Sequence, residues 1–363
     1  MSTPLVLVGA GGMGRAWLGA IQADPGAELA GVVDLDLDAA RGALADAGLD
    51  GVPVGTDAVA LAGETGARAI VNVTVPAAHH PVTTAALFAG LPVLGEKPVA
   101  ESVPRALSLA AAAEVTGELF VVSQSRRYNR QLFAFREQAR TLGDLGVLTT
   151  EFFKAPRFGG FRDAMAHPLL LDMAIHPFDT ARFLLGAEPV SVYCEEFNPS
   201  WSWYDGDAAA TAVFEMTGGV RYAYTGSWCS PGRETSWNGS WRLSGRDGTA
   251  LWDGDHEPVV DGPRDRPHDE VEGADPGDGI AGSLATFLAA LDGGPTPMGE
   301  VHENVLSLVM VAAAVESAAT GAKVLVDDVL ERAYTEALAT ETREDVRAQL
   351  ASWTSVRAAL GTS

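Results

Sequence analysis

Residues 5–14 read Leu-Val-Leu-Val-Gly-Ala-Gly-Gly-Met-Gly, an apolar run that leads directly into glycines spaced G-x-G-x-x-G. This order predicts a strand, a tight turn and the start of a helix. We expect Gly9 at the turn, Gly11 where the backbone approaches a pyrophosphate, and Gly14 where the helix packs closely on its strand. Free N–H groups at a helix N-terminus bind phosphate, so such a site needs no basic residue. The predicted dinucleotide-binding turn comprises Gly9, Gly11, Gly12, Met13 and Gly14.

An acidic residue follows the next predicted strand, residues 27–33. Asp34 lies close to the ~20-residue offset expected for an acid that binds the adenosine ribose. Residues 35–38 contain two further aspartates and no Arg or Ser that would hold a 2′-phosphate, which favours NAD over NADP. Arg41 is the nearby cation that argues for NADP.

Composition limits the classes of partner. The chain has 363 residues, 47% of them hydrophobic, which is enough for two globular domains. A formal net charge of −23 repels nucleic-acid backbones and anionic lipid, so we expect neither nucleic acid nor a membrane as a partner. Neutral substrates fit this charge better.

No basic leader precedes the first predicted strand and no apolar run reaches membrane-spanning length, so a cytoplasmic location is expected. Cys194 and Cys229 match no metal or redox spacing, and we expect them to be reduced, buried thiols. No metal site is predicted.

The element pattern changes near residue 124. Residues 1–123 alternate strands and helices, which predicts an α/β domain with a doubly wound parallel sheet of about six strands. Residues 124–328 predict an α+β domain with a large, mostly antiparallel open sheet, and residues 329–363 a helical extension. Within the second domain we expect a helix at 168–185 that Pro177 interrupts, and an exposed loop at 253–282.

Ligands of open α/β sheets bind outside the carboxyl ends of the strands. Besides Asp34, two segments fall at such ends: Thr74-Val75-Pro76 and Glu96-Lys97-Pro98. A cis Lys97–Pro98 bond would aim the lysine toward the nicotinamide, whereas the alternative is an exposed lysine in an ordinary loop. His80 follows Pro76 by four residues, and a cofactor-side role and a helix-cap role are both open.

A candidate acid/base pair lies farther along, at Asp172 and His176. On a helix these positions share one face, and a carboxylate beside an imidazole fixes its orientation and raises its pKa. The alternative is an incidental spacing of an aspartate and a histidine.

Taken together, these residues resemble the Gfo/Idh/MocA family of NAD(P)-dependent oxidoreductases, which includes glucose–fructose oxidoreductase and inositol dehydrogenase. The matching segments are the glycine turn, Asp34, Thr74-x-Pro76-x-x-x-His80, Glu96-Lys97-Pro98, Ser123-Gln124, Arg127-Tyr128, Asp172-x-x-x-His176-x-x-Asp179 and the helix at 301–321. Ala77 departs from the polar residue often found after the proline.

The resemblance implies a Rossmann domain followed by a domain whose open sheet forms homodimers or homotetramers. It implies that Lys97 lies beside the reacting carbon and the nicotinamide, that His176 exchanges the proton of the substrate hydroxyl, and that Asp172 orients the substrate or the imidazole. The implied cofactor-binding residues, beyond the glycine turn and Asp34, are Thr74, Pro76, His80, Glu96 and Lys97.

The expected substrate is a sugar, glycoside or cyclitol, oxidised at a secondary alcohol or reduced at a ketone. Six of the eight tryptophans lie between residues 201 and 252, where they either face a sugar ring or, for most of them, fill the sheet. Candidate substrate contacts are Tyr128, Arg157 and Trp228. The alternatives are an NAD-binding regulator without catalysis, against which Lys97 and His176 argue, and a glycosidase that recycles NAD.

Overall fold

The computed structural model describes residues 2–262 and 277–361. The chain divides into two compact units. The first comprises Met1–Tyr128, Pro276–Val305 and Arg332–Ser363, and the second comprises Asn129–Asp275 and Leu306–Glu331. From Arg332 onward, the segment that the sequence sets apart as a C-terminal extension therefore packs within the first unit.

The described residues contain fourteen strands and twelve α-helices. The strands are β1 (Thr3–Val8), β2 (Ala27–Val33), β3 (Val54–Gly55), β4 (Ala69–Asn72), β5 (Val93–Glu96), β6 (Phe120–Ser123), β7 (Leu145–Phe153), β8 (Pro189–Phe197), β9 (Ala209–Met216), β10 (Arg221–Ser227), β11 (Ser240–Gly245), β12 (Gly248–Trp252), β13 (Val259–Asp261) and β14 (Val324–Leu325). The helices are α1 (Gly12–Ala23), α2 (Leu37–Asp46), α3 (Ala58–Thr65), α4 (Pro76–Phe88), α5 (Val103–Thr116), α6 (Arg130–Ala139), α7 (Ile175–Leu185), α8 (Gly279–Leu291), α9 (Val301–Thr320), α10 (Val326–Thr340), α11 (Glu344–Ser352) and α12 (Val356–Ala359).

The sheet of the first unit has the order β3-β2-β1-β4-β5-β6 with every pair parallel. This is the doubly wound arrangement, and it confirms the predicted fold class. Strands covered on both faces must be apolar throughout, and Leu5, Val6 and Leu7 of β1 are accordingly buried. Trp17 of α1 and Phe287 of α8 join the same core.

Two helices of this unit differ from the sequence expectation. The sequence predicts a helix from Pro81, but α4 begins at Pro76 and contains Pro81. Proline suits the first helical position because the missing N–H has no partner there in any case. The short helix α3 was not predicted at all, although the Asp57 carboxylate caps it by accepting from the N–H of Ala60 at 2.9 Å.

The sheet of the second unit has the order β13-β12-β11-β7-β10-β9-β8-β14. It is antiparallel except for the parallel pair β7 and β10, as the sequence predicts. One face is buried, and a row of paired core residues crosses it: Val192, Phe214, Tyr222, Leu148, Leu243 and Ala250. Phe178 of α7 packs on this row, with its ring centroid 4.8 Å from that of Phe214.

The segment at 168–185 is helical, as predicted, but the predicted interruption at Pro177 is wrong. A π-helical stretch, Leu169–Ala174, continues directly into α7, and Pro177 does not interrupt it. Pro177 is the third residue of α7, just after the π-helical hydrogen-bonding pattern gives way to the α-helical one.

One later segment also differs. The predicted loop 253–282 contains β13 and the first residues of α8, whereas residues 263–276 lie outside the described part of the chain. The C-terminal tail is helical, as the sequence predicts, and consists of α10, α11 and α12. Both cysteines are buried and free, as expected.

One described helix, α9, is long and apolar enough to cross a membrane by composition, but 61% of its apolar window is buried inside the protein. Core helices of soluble proteins have the same composition.

Candidate cofactor and active site

The glycine turn has the backbone geometry that was predicted for Gly9 and Gly14. Gly9 has φ +106°, and a Cβ there would lie 2.7 Å from the carbonyl oxygen of Val73. A Cβ at Gly14 would overlap the carbonyl oxygen of Gly9, so only glycine allows α1 to pack this closely. By contrast, space is open around Gly11 and Gly12. The exposed start of α1 consists of Gly11, Gly12 and Met13, and it suits a pyrophosphate.

Asp34 lies directly against this turn. Its Oδ2 accepts from the N–H of Ala10 at 2.7 Å, and its Oδ1 accepts from the N–H of Asp36 at 2.9 Å. Arg41 is exposed and forms an ion pair with Asp38 at 3.1 Å. The acid predicted to bind ribose is thus held beside the pyrophosphate turn, and the one cation that favoured NADP has an acidic partner.

His79, which no sequence motif indicated, links the ends of two strands. His79 is 2% exposed; its Nδ1 lies 2.6 Å from the carbonyl oxygen of Pro98, and its Nε2 lies 3.0 Å from that of Thr74. The Thr74 hydroxyl donates to Oδ1 of Asn72 at 2.7 Å. Segment 74–76 and segment 96–98 are therefore tied together through α4.

His80, the residue that the sequence singled out, has a different environment. Burial lowers the pKa of its imidazole and the charge of Arg105 lowers it further, although Glu341 acts in the opposite direction. A neutral ring is favoured there at neutral pH.

The Lys97–Pro98 peptide bond is cis. The neighbouring Glu96 carboxylate accepts from the indole N–H of Trp17 at 2.9 Å and from the N–H of Lys97 at 3.1 Å. Since Trp17 belongs to α1, Glu96 joins the lysine turn to the helix that follows the glycine turn. The glycine turn, Asp34, segment 74–76 and segment 96–98 thus lie along one edge of the first sheet, where α1 and α4 connect them.

The predicted acid/base pair belongs to the second unit. His176 is 8% exposed at the start of α7. Asp172 lies in the π-helical stretch, where its Oδ2 accepts from Nε of Arg162 at 2.6 Å. This charge-assisted bond fixes the carboxylate, and no sequence pattern indicated Arg162 as its partner.

Asp179, the third member of the motif, is a structural residue. It accepts from the Ser307 hydroxyl at 2.7 Å, and that oxygen accepts from Nη1 of Arg182 at 2.8 Å. Arg182 also makes a bidentate pair with Glu188. The network anchors α7 to α9 inside the second unit.

Arg157 and Trp228 lie among aromatic rings of the second unit. The Arg157 guanidinium stacks on Trp203, 4.0 Å from the ring centroid. Trp228 is buried, with its ring centroid 5.7 Å from Phe158 and 6.1 Å from Tyr204. Trp241 and Trp252 are likewise buried, whereas Trp201 and Trp237 are exposed.

Tyr128 belongs to the first unit and is 1% exposed. Its hydroxyl lies 2.9 Å from the Thr286 hydroxyl of α8, and its carbonyl accepts from the N–H of Gly279 at 2.8 Å. The structure thus gives Tyr128 partners in the protein interior, whereas the sequence proposed it as a substrate contact.

Two family models match the chain. Residues 4–124 match the oxidoreductase family with an NAD-binding Rossmann fold, and residues 138–251 match the GFO/IDH/MocA C-terminal domain.

Among curated proteins, the uncharacterized protein y4oX of Sinorhizobium fredii is 28% identical over 354 residues, covering 91% of this chain and 98% of that protein. Inositol 2-dehydrogenase 4 of Saccharopolyspora erythraea is 34% identical over 193 residues. That match spans 51% of this chain and only 55% of the dehydrogenase.

Solved structures share the fold. An oxidoreductase from Agrobacterium radiobacter, in complex with NAD+, L-tartaric acid and magnesium, has a TM-score of 0.78 at 20% identity, covering 91% of this chain and 100% of that one. The WlbA dehydrogenase from Bordetella pertussis, with NADH and UDP-GlcNAcA, has a TM-score of 0.76 at 20% identity, covering 90% and 99%. With both family models matched in the expected order, the chain belongs to the Gfo/Idh/MocA family of oxidoreductases and has an NAD-binding Rossmann domain at residues 4–124.

Proposed function

We propose that this protein is an NAD-dependent dehydrogenase that acts on a secondary alcohol or ketone carbon of a neutral sugar, glycoside or cyclitol. The observation that carries the proposal is the edge of the first sheet, where the open glycine turn, Asp34 and the Lys97 turn are joined by hydrogen bonds. Family membership supplies the reaction class.

The preference for NAD follows from charge at this edge. A 2′-phosphate beside the Asp34 carboxylate would be repelled, whereas the ribose hydroxyls of NAD donate hydrogen bonds to it. Arg41, which would favour NADP, forms an ion pair with Asp38.

The chemical roles follow from the side chains. Bound NAD supplies the hydride acceptor. His176 takes the proton of the substrate hydroxyl during oxidation and returns it during reduction. The Lys97 ammonium donates a hydrogen bond to a substrate oxygen and stabilises negative charge that develops on it. Asp172 orients the substrate or the imidazole, and its bond with Arg162 holds the carboxylate ready for that task.

The substrate class is supported by two features and one relative. The net charge of −23 disfavours anionic ligands, and the exposed ring of Trp201 offers a face to the C–H groups of a sugar. The partial match to an inositol 2-dehydrogenase agrees with a cyclitol.

The first experiment follows the near-ultraviolet absorbance of reduced nicotinamide while NAD or NADP is offered with a panel of inositols, free sugars and glycosides. We expect a rise with NAD and one substrate class. If calorimetry shows that NAD binds while no compound of the panel changes the absorbance, the result would favour an NAD-binding regulator without catalysis. Turnover of a glycoside without net NADH would indicate the NAD-recycling glycosidase.

Single substitutions then test the roles. Lys97→Ala and His176→Ala should each lower kcat by roughly 100-fold or more while NAD binding is kept. Lys323→Ala and His256→Ala, at exposed positions of the second unit, are the matched controls and should stay within about twofold of the wild type. Near-normal turnover of both active-site variants would rule out the assigned roles.

A further inference from the structure

Three side chains outside the proposed catalytic set converge in the second unit. The potential metal-ligating atoms of His167, Glu196 and Asp207 all lie within 4.8 Å of one another. His167 precedes the π-helical stretch, Glu196 lies near the end of β8, and Asp207 lies just before β9. Three separate parts of the chain therefore supply one imidazole nitrogen and two carboxylates.

Glu196 is buried with half of its hydrogen-bonding capacity unused. Its side chain is 2% exposed. Oε2 accepts from Nδ1 of His167 at 2.7 Å, but the buried Oε1 has no hydrogen-bond partner among the described residues. A buried carboxylate is costly unless it is paired, so this oxygen calls for a positive charge.

The backbone around the cluster is held in place. The N–H of Asp207 donates to the carbonyl of Ala166 at 2.9 Å, and the N–H of Asp205 donates to that of Asp163 at 2.8 Å. Any side chain at Gly206 would overlap the carbonyl oxygens of Met165 and Ala166. His167 and Asp207 are thus carried by two backbone segments in direct contact.

We propose that His167, Glu196 and Asp207 form a binding site for one divalent cation of the Zn²⁺ or Mn²⁺ class. Ligand atoms about 2.1 Å from a tetrahedral ion lie roughly 3.4 Å apart. The separations in the cluster are at most 4.8 Å, so side-chain rotation must shorten the longest of them by up to about 1.4 Å. A mixed set of one nitrogen and two oxygens suits Zn²⁺ or Mn²⁺ better than Mg²⁺, which prefers oxygen ligands and keeps its waters. The cation fastens the segment before Asp172 to the connection between β8 and β9.

The test uses full-length protein without a histidine tag, stripped with EDTA and titrated with ZnCl₂, MnCl₂ or MgCl₂. Calorimetry and elemental analysis after dialysis should show one equivalent of Zn²⁺ or Mn²⁺ per chain, with a rise in Tm on binding. Glu196→Gln and Asp207→Asn should each weaken binding by roughly 100-fold or more and abolish the Tm shift.

The matched control is Asp253→Asn. Asp253 forms an exposed pair with His256 at 2.8 Å and has the same two side-chain types outside the cluster. It should bind the cation as the wild type does. The proposal is overturned if the stripped wild type takes up no stoichiometric cation, or if both cluster variants bind with unchanged affinity.

A spectroscopic measurement on the wild type does not depend on variants that fold. Co²⁺ added to the stripped protein should give visible absorption bands that saturate at one equivalent and disappear when Zn²⁺ is added. Co²⁺ bands that are absent, or that Zn²⁺ leaves unchanged, would also overturn the assignment.

Discussion

Asp34 combines a structural and a recognition task in one carboxylate. The bond from the N–H of Ala10 to Oδ2 fixes the glycine turn before any cofactor arrives. The same group is the proposed acceptor for the ribose hydroxyls. Its replacement should therefore change both how tightly and how selectively the first unit binds a dinucleotide.

Asp34→Ala should weaken NAD binding and reduce the preference for NAD over NADP, because the repulsion of a 2′-phosphate is removed. Calorimetric Kd values for both dinucleotides measure this ratio. Asp36→Ala is the control, since that carboxylate caps α2. It should lower stability and keep the ratio. An unchanged ratio in Asp34→Ala would remove Asp34 from the ribose site.

Substitution by alanine should have opposite effects on stability at two glycines of α1, Gly14 and Gly19. Gly14→Ala places a Cβ against the carbonyl oxygen of Gly9, whereas a Cβ at Gly19 would extend into open space. We expect Gly14→Ala to lower the free energy of unfolding by about 1–3 kcal/mol and to weaken NAD binding. Gly19→Ala should be neutral or stabilise the protein by up to about 1 kcal/mol. Urea unfolding decides, and equal effects would contradict the packing argument.

The sequence predicted the structural roles of Gly9 and Gly14 correctly but did not indicate His79, and the reason is physical. A turn beside a strand constrains the backbone locally, so spacing alone reveals it. His79 and His80 are adjacent on α4 and point about 100° apart, and only the packing of α4 decides which of them meets segments 74–76 and 96–98. Arg162 and Asp172 meet only in the folded structure, so no local sequence pattern predicts this pair.

Among the elements of the first unit, α5, α9 and α11 meet at a cluster of polar side chains. His302 lies between two carboxylates: its Nδ1 is 2.7 Å from Glu300, and its Nε2 is 3.1 Å from Glu114. Glu114 also accepts from Gln349 and Trp353 of the C-terminal segment. Burial lowers the pKa of His302, but the two carboxylates outweigh burial and the net shift is upward.

This upward shift makes stability depend on pH. A group whose pKa is higher in the folded state stabilises the protein below its ordinary value of 6.5, and this contribution is lost as pH rises through the raised pKa. Relative to His302→Gln, the wild type should therefore be more stable by a few tenths to about 1 kcal/mol at pH 5.5, and the difference should vanish at alkaline pH. Urea midpoints across this range test it.

Glu300→Gln is the companion variant. It removes one of the two carboxylates and should reduce the pH dependence of the stability that His302 contributes. Parallel pH profiles for the wild type and His302→Gln would show that the histidine does not contribute.

Long apolar strands were predictable as elements, whereas the short helix α3 was missed. Continuous apolar runs such as residues 69–72 have few alternatives to a buried parallel strand. Helix α3 has eight residues, and its signals are its ends: Asp57 at the N-cap and Gly66 in the left-handed conformation. These capping residues are the sequence signals that indicate this helix. The π-helical stretch has no sequence signature of this kind.

For the whole molecule, the unburied face of the second sheet suggests assembly. A row of directly paired residues crosses this face: Tyr193, Val213, Ala223, Thr149, Arg242 and Leu251. Tyr193, Val213 and Leu251 are each about two-fifths exposed. We propose that a second copy of the chain covers this face in a homodimer or homotetramer, in agreement with the resemblance to the family.

Val213→Glu places a charge within this exposed row and should shift the protein toward monomers in light scattering after size-exclusion chromatography. Val115→Glu, at an exposed position of α5, is the control and should leave the mass unchanged. A monomeric wild type would contradict the proposal, as would a Val213→Glu variant of unchanged mass.

The first unit is built from three separate segments of the chain, and this affects how it folds during synthesis. Leu284, Phe287 and Leu288 of α8 complete a core that begins with Leu5 and Trp17, yet they are translated some 160 residues after the last residue of the N-terminal segment. At about 5–20 residues per second, a ribosome needs roughly 8–30 s to cover that distance. During this interval the nascent chain carries an incomplete core, so the dinucleotide-binding unit matures late, and a gene fragment that ends at residue 128 would encode a sheet lacking part of its cover.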